Sequence, residues 1–336
     1  MTTDAFAGRL FGAATASLEL ATVYLGDRLG LYRALAEGGP LTAAELAAAT
    51  GTHERYVQEW ARAQAVCGIV EADDGHYRLP PEHAEGLVDR ESPAYLAPLA
   101  AMNATGALVM RELLDAFRHG GGVGYERYGA EFRDAQQDLS RPLYRHGVGA
   151  WIAALPDVHD RLSAGGRAID VGCGAGLAAV ELARHYPAAA VEGADLDDAS
   201  IDLARANARA AGVDVRFHVR DASDSGLGGP YDLITLFDSL HHLARPGETL
   251  RALRAQLAAD GIVLIAERRA EGPFERFVHL VSVVHCLPTA MAEQPSAAMG
   301  GVVAPETVLA LAAEAGFPEA AIAPIEHEML RFFALH

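Results

Sequence analysis

The chain has 336 residues, 51% of them hydrophobic, enough for two domains with sizeable cores. Its 27 basic and 45 acidic residues leave a formal charge of −18, which repels a phosphate backbone and disfavours nucleic acid as a partner. Three distant cysteines, Cys67, Cys173 and Cys286, exclude a disulfide framework and read as reduced cytoplasmic thiols; no basic leader precedes an apolar run, and no uncharged stretch of ~18 residues is present to span a membrane.

Residues 8–37 carry apolar side chains at helical spacing (Leu10, Ala14, Leu18, Val23, Leu31, Leu35), which predicts two helices broken near Gly26 or Gly30. Thr42 and Glu45 have capping-box spacing and open a helix that runs to about Ala49. Another helix is expected from Glu54 to Cys67, and Asp74-Gly75 between two short β-prone runs signals a hairpin over 69–79. Helices closed by a hairpin make a winged-helix pattern, assigned to residues 1–90. Residues 91–165 read as a mainly helical linker and lid, interrupted at Gly120-Gly121-Gly122-Val123-Gly124 and followed by Tyr125, Tyr128, Phe132, Tyr144 and Trp151.

From residue 166 to 336 the rhythm alternates. Strands are expected at 167–171, 190–195, 214–220, 231–237 and 261–267, and helices at 176–186, 199–211 and 248–258. A helical insert at 272–300, a helix at 305–315 ending at Gly316, and two strands near 320–326 and 328–335 complete the chain. Repeated β-α-β units imply an α/β fold: a Rossmann-like, seven-stranded, mostly parallel sheet with an N-terminal winged-helix domain.

The strongest motif is Ala168-Ile169-Asp170-Val171-Gly172-Cys173-Gly174-Ala175-Gly176, an apolar strand running into a glycine turn and a helix N-terminus. Its third glycine is Gly176, so the spacing is G-x-G-x-G and departs from the dinucleotide fingerprint G-x-G-x-x-G, which disfavours a dehydrogenase. Asp195 ends the second strand, ahead of Leu196, and its carboxylate is suited to two ribose hydroxyls. Asp221-Ala222 ends the third strand and offers an acceptor and a backbone N–H to an adenine ring. Phe237-Asp238-Ser239-Leu240-His241-His242 ends the fourth. All lie at carboxyl ends of successive strands, where open α/β sheets bind ligands.

These residues resemble class I S-adenosylmethionine-dependent methyltransferases. The likeness is greatest to actinobacterial members with an N-terminal winged-helix domain, carried by Asp170-Val171-Gly172-Cys173-Gly174, by Phe237-Asp238-Ser239-Leu240-His241, and by Cys286-Leu287-Pro288 with Ala298-Met299-Gly300. The resemblance implies S-adenosylmethionine as cofactor. Gly172 and Gly174 would approach its methionine part, Asp195 would hold the ribose, Asp221 and Ala222 the adenine, and Phe237 would offer its carbonyl to the amino group, with Gly176, Leu196 and Asp238 as further cofactor-binding candidates. In that subgroup an acid follows the histidine matching His241; here His242 stands in its place. The resemblance also implies a homodimer joined through the winged helix.

Methyl transfer from a sulfonium is a displacement governed by alignment, with a base needed only where the acceptor loses a proton. Candidate bases are His241, His242 and His285; His279 and His285, in the insert, are candidates to line the acceptor pocket, and Glu267, ending the fifth strand, either faces that pocket or solvates the strand end. Tyr125, Tyr128 and Tyr144, together with His241, are candidates to line the acceptor pocket, where an aromatic face attracts a cation. Histidine and cysteine spacings match no familiar metal pattern, so no metal is expected. The expected function is therefore methylation of a small molecule, of specialised metabolism, in the cytoplasm. Two alternatives remain at this point: a reaction of S-adenosylmethionine without methyl transfer, and a DNA-binding regulator using the winged helix.

Overall fold

The computed structural model describes residues 1–223 and 226–336, which form two compact units. One comprises residues 1–108 and 130–142, the other 109–129 and 143–336.

In the first unit, α1 (Thr3–Arg28) is capped by the Thr2 hydroxyl and stops before Gly30, whose φ of +70° opens α2 (Leu31–Gly38). The expected break is thus at Gly30. Gly26 stays helical for a packing reason: a Cβ there would lie 2.5 Å from the Tyr32 ring and 2.6 Å from Trp60. Helix α3 (Ala43–Thr50) carries the predicted capping box between Thr42 and Glu45. Helix α4 (Glu54–Val66) follows, and β1 (Leu41–Thr42), β2 (Glu71–Asp73) and β3 (His76–Arg78) pair antiparallel in the order β1-β3-β2. The hairpin is as expected; the two-residue β1 is too short to leave a sequence period. Leu31, Leu35, Leu46, Val57 and Ala61 form the core. Within it Tyr32 Oη donates to Gln64 Oε1, while Gln64 Nε2 and Trp60 Nε1 donate to Thr22 at 2.8 and 2.9 Å, so the buried polar atoms are compensated. Helices α5 (Pro81–Leu87) and α6 (Pro98–Gly106) follow in this unit; α6 packs on α1, so part of the 91–165 stretch belongs here.

The second unit begins with α7 (Met110–His119). Helix α8 (Gly129–Ala153) is divided between the units, and α9 (Pro156–Ser163) leads into the sheet. Strands β4 (Arg167–Val171), β5 (Ala190–Asp195), β6 (Val215–Val219), β7 (Tyr231–Phe237), β8 (Leu257–Arg268), β9 (Ala320–Ile322) and β10 (Leu330–Leu335) stand in the order β6-β5-β4-β7-β8-β10-β9. β10 is antiparallel to both neighbours and the pairs from β6 to β8 are parallel. Helices α10 (Leu177–His185) and α11 (Asp198–Ala211) cover one face with α9, and α12 (Pro246–Arg254) and α15 (Pro305–Glu314) the other. Burial on both faces explains why β7 reads Leu233-Ile234-Thr235-Leu236 without alternation.

The predicted helix 248–258 overruns. It ends at Arg254, because Leu257 pairs with Tyr231 and sheet pairing overrides the helix preference of Leu257-Ala258-Ala259. Strand β9 is shorter than 320–326, since Pro324 has no N–H for the ladder. The insert is helical only to Ala290, as α13 (Glu275–Val281), a π turn at Ser282–Cys286 and α14 (Leu287–Ala290). Among the described residues no helix is long and apolar enough to cross a membrane.

Gly176 caps α10 at φ +71°, and a Cβ there would meet Ala204 Cβ and the Phe217 ring at 2.7 Å. Gly176→Ala is therefore expected to cost about 2–4 kcal/mol in urea unfolding, adding left-handed strain to overpacking. A loss below about 0.5 kcal/mol would contradict this packing.

Candidate active site

The turn after β4 holds Gly172, Gly174 and Gly176 at φ +67°, +50° and +71°, a region that side chains disfavour. A Cβ on Gly172 would sit 2.7 Å from Ser239 Cβ, whereas above Gly174 no heavy atom lies within 4 Å, so its backbone is open to a ligand. The N–H groups of Gly172 and Cys173 donate to Ala194 O at 2.8 and 3.1 Å, tying the turn to the end of β5. There Asp195 Oδ2 accepts from Gly174 N at 2.8 Å and Oδ1 from Asp197 N at 2.9 Å. The turn and the acid predicted from sequence are in direct contact. Burial pushes the Asp195 carboxyl up, against those two N–H groups. Leu196 beside it is 59% exposed.

After β6, Asp221 Oδ1 accepts from Ser223 N at 2.8 Å, its Oδ2 lies 3.4 Å from Arg245 Nη2, and Ala222 is buried. At the end of β7, Phe237 is buried against Tyr144, stacked at 6.3 Å, and Trp151, edge-on at 5.6 Å. Asp238 follows at φ +55°, strained for a residue with a side chain, and is held there by Arg268 Nε at 2.9 Å and by its own N–H on Ala266 O at 2.8 Å.

The histidines meet beyond β7 and β8. His241 is 1% exposed, and its Nδ1 lies 2.6 Å from Oε2 of Glu267, which is 2% exposed. Burial pulls this imidazole down, but Glu267 and Cys286 outweigh it and hold its pKa well above the ordinary value. The His241 and His242 rings are 4.1 Å apart and the His242 and His285 rings 5.4 Å apart. Burial, reinforced by His241, depresses both of these: His242 well below the ordinary value and His285 to about 3. Tyr128 and Tyr125 pack on His285 at 4.8 and 6.0 Å, and Tyr128 Oη donates to Val284 O at 2.7 Å. Tyr144 stands apart from these two tyrosines, on Phe237, while His279 is exposed on α13.

Three groups named in the sequence make contacts that the sequence did not reveal. The carboxylate absent beside His241 comes from Glu267, 26 residues on. The only signal was an acid closing a buried strand. Asp170 is buried within β4, accepts from Thr235 Oγ1 at 2.7 Å, and is pushed up to about 7 by burial. Cys286 lies beside His241 and His242. A cavity of about 310 Å³ opens elsewhere, at the amino-terminal edge of β5 and β6 between Pro187 and Arg216, and holds none of these groups. Ligands in such sheets bind at the opposite edge, where the glycine turn, the strand-end acids and the histidines lie.

Residues 162–316 match a family profile described as a methyltransferase domain, and residues 16–89 one described as an Rv2258c-like winged HTH domain. The chain carries a methyltransferase domain behind a winged helix-turn-helix domain. A curated relative, the ubiquinone biosynthesis O-methyltransferase of Marinobacter nauticus, is 32% identical over 114 residues; the match covers 32% of this chain and 47% of that protein, less than half its length. A putative O-methyltransferase from Nostoc punctiforme shares the fold with a TM-score of 0.77 and 19% identity, covering 98% of each chain. Human N-acetylserotonin methyltransferase, solved in complex with SAM, gives 0.75 and 20%, covering 98% of this chain and 97% of its own. At these identities the likeness establishes the fold, a class I methyltransferase sheet. The cofactor of such a domain is S-adenosylmethionine. The residues present fit it: an open glycine backbone at Gly174, a strand-end carboxylate at Asp195, and Asp221-Ala222 on the next strand.

The methyltransferase domain holds Asp170 protonated to about pH 7, whereas the unfolded chain releases that proton near 3.8. A folded pKa raised in this way contributes stability below the lower value and loses it as pH rises through the upper one. Asp170→Asn removes the titration. Its melting temperature relative to the parent is therefore expected to be higher at about pH 8.5 than at about pH 5, by calorimetry without cofactor. An equal difference at both pH values would refute the buried, uncompensated carboxyl.

Proposed function

We propose that the protein transfers the methyl group of S-adenosylmethionine to a hydroxyl oxygen of a small, partly apolar molecule of specialised metabolism, with His241 as general base. The observation that carries this reading is the buried His241–Glu267 pair at 2.6 Å. With Nδ1–H donated to the carboxylate, Nε2 is left as the proton acceptor, and the carboxylate stabilises the imidazolium that forms. His242 and His285, both depressed, stay neutral and do not compete for the proton. Tyr125 and Tyr128 add aromatic surface beside His285, in keeping with a partly apolar acceptor. Oxygen is favoured among acceptor atoms by the O-methyltransferase names of the relatives.

When bound, the sulfonium supplies an electrophilic methyl carbon. The residues of the chain would do the rest: Gly174 would hold the methionine part, Asp195 the ribose, and Asp221 and Ala222 the adenine, while His241 would take the hydroxyl proton as the oxygen–carbon bond forms and the carbon–sulfur bond breaks. Alignment and removal of that proton are the enzyme's contributions.

The test is product analysis with hydroxylated aromatic acceptors. S-adenosylhomocysteine and a methylated acceptor are expected, while methylthioadenosine would sink the reading in favour of cofactor cyclisation. His241→Asn should lower kcat by roughly 10²–10⁴-fold with S-adenosylhomocysteine binding retained in calorimetry. The base must be neutral and its pKa is held high, so the rate should rise with pH on a limb above the ordinary histidine value. Glu267→Gln removes a raising cause and leaves burial, so that limb should move towards acid.

We also propose a cytoplasmic homodimer. Unpaired cysteines agree with that location. Phe11, Leu18 and Leu25, spaced by seven on α1, are 76%, 70% and 48% exposed, an apolar stripe suited to its own symmetry mate. Light scattering should give a dimer for the parent and half that mass for Phe11→Glu with Leu18→Glu; a monomeric parent would refute it.

A further inference from the structure

The end of the sheet that carries the base also gathers metal-ligating donor atoms around it, two of which, on His242 and Cys286, methyl transfer does not use. One ring nitrogen of His241, one of His242 and Sγ of Cys286 all lie within 4.8 Å of one another. They arrive on two short irregular segments, the 3₁₀ turn Leu240–His242 and the π turn Ser282–Cys286. Such π turns are frequent at functional sites.

The atoms behind these donors are organised as well. His241 Nδ1 is engaged by Glu267 Oε2 at 2.6 Å. His242 Nδ1 is engaged by Thr289 Oγ1 at 2.8 Å. The Thr289 hydroxyl lies 2.9 Å from His285 O and 3.0 Å from Cys286 O, carbonyls that only accept, so its proton goes there and its lone pair receives the His242 Nδ1–H. Each ring is thereby left with Nε2 to offer. A carboxylate or hydroxyl on one imidazole nitrogen and an open lone pair on the other is the arrangement of metal-ligating histidines. Two imidazoles and a thiolate select zinc, cobalt or copper over magnesium or calcium, and three protein ligands leave a fourth position open.

We propose that His241, His242 and Cys286 bind one divalent transition-metal ion of the zinc type, and that its occupation blocks methyl transfer by taking the nitrogen that serves as base. Two metal–nitrogen bonds and one metal–sulfur bond form, the Cys286 thiol proton and the Nε2 proton of the His241 imidazolium leave to solvent, and no oxidation state changes. The blocking half rests on the reading of His241 as general base; the binding half does not.

The test uses the full chain, stripped with a chelator and titrated with cobalt(II) chloride. One equivalent is expected to give a thiolate-to-cobalt charge-transfer band and visible bands of tetrahedral intensity. Cys286→Ser should abolish the charge-transfer band, whereas Cys67→Ser, at an exposed cysteine, should keep it. His242→Ala should weaken cobalt binding by roughly tenfold or more. Binding of S-adenosylhomocysteine by each variant shows that it is folded. No charge-transfer band in a chain that binds S-adenosylhomocysteine, or a band that survives Cys286→Ser, overturns the site. Zinc should displace cobalt and stop product formation, with a chelator restoring it. Zinc bound at this site without loss of turnover overturns the blocking half and, with it, His241 as base.

Discussion

A parallel sheet brings the carboxyl ends of its strands to one edge, and this sequence places an acid on each of five neighbours: Asp170 in β4, Asp195 at the end of β5, Asp221 after β6, Asp238 after β7 and Glu267 in β8. Like charges gathered in a poorly solvated place must each find compensation or take up a proton. Asp195 has two backbone N–H groups, Asp221 has Ser223 and Arg245, Asp238 has Arg268 and Glu267 has His241. Asp170 has one hydroxyl, from Thr235, and is the acid driven up to about 7. The geometry of the site is largely the set of solutions to that electrostatic problem.

The solutions also account for local strain. Asp238 sits at φ +55°, where a residue with a side chain is unfavourable, because there its carboxylate meets Arg268 and its N–H reaches Ala266 O. Gly172 and Gly174 are glycines for two different reasons. At the first a side chain would collide with Ser239, while the second keeps its backbone uncovered beside the Asp195 carboxylate. Left-handed backbone thus recurs at the turns that close β4 and β7.

What the sequence made legible was local. The glycine turn, the strand-end acids and the capping box at Thr42 each announce themselves within a few residues, and all of them are in the structure. What it hid was long-range. Glu267 reaches His241 across 26 residues, and Thr235 reaches Asp170 across 65. Neither pair has a spacing signature, because strand order and not chain order makes them neighbours. The insert failed in a related way. Cys286 stood out only as part of Cys286-Leu287-Pro288, and its nearness to His241 and His242 depends on a π turn that no hydrophobic period reveals. The overrun of the helix at 248–258 has the opposite cause, a local preference defeated by pairing of Leu257 with Tyr231.

The three clustered histidines show how far position decides chemistry when residue type is constant. His241 and His285 are buried and His242 is half-buried, and burial alone would push each imidazole towards neutrality. His242 and His285 follow that rule, and the positive charge on His241 depresses them further. His241 escapes it because a buried carboxylate faces its Nδ1, and that carboxylate is itself tolerable at depth because the imidazole faces it. Each partner is the condition for the other's charge. Substituting either therefore leaves the other buried without its partner, and the damage falls on the electrostatics of the site before it falls on the packing of β7 against β8.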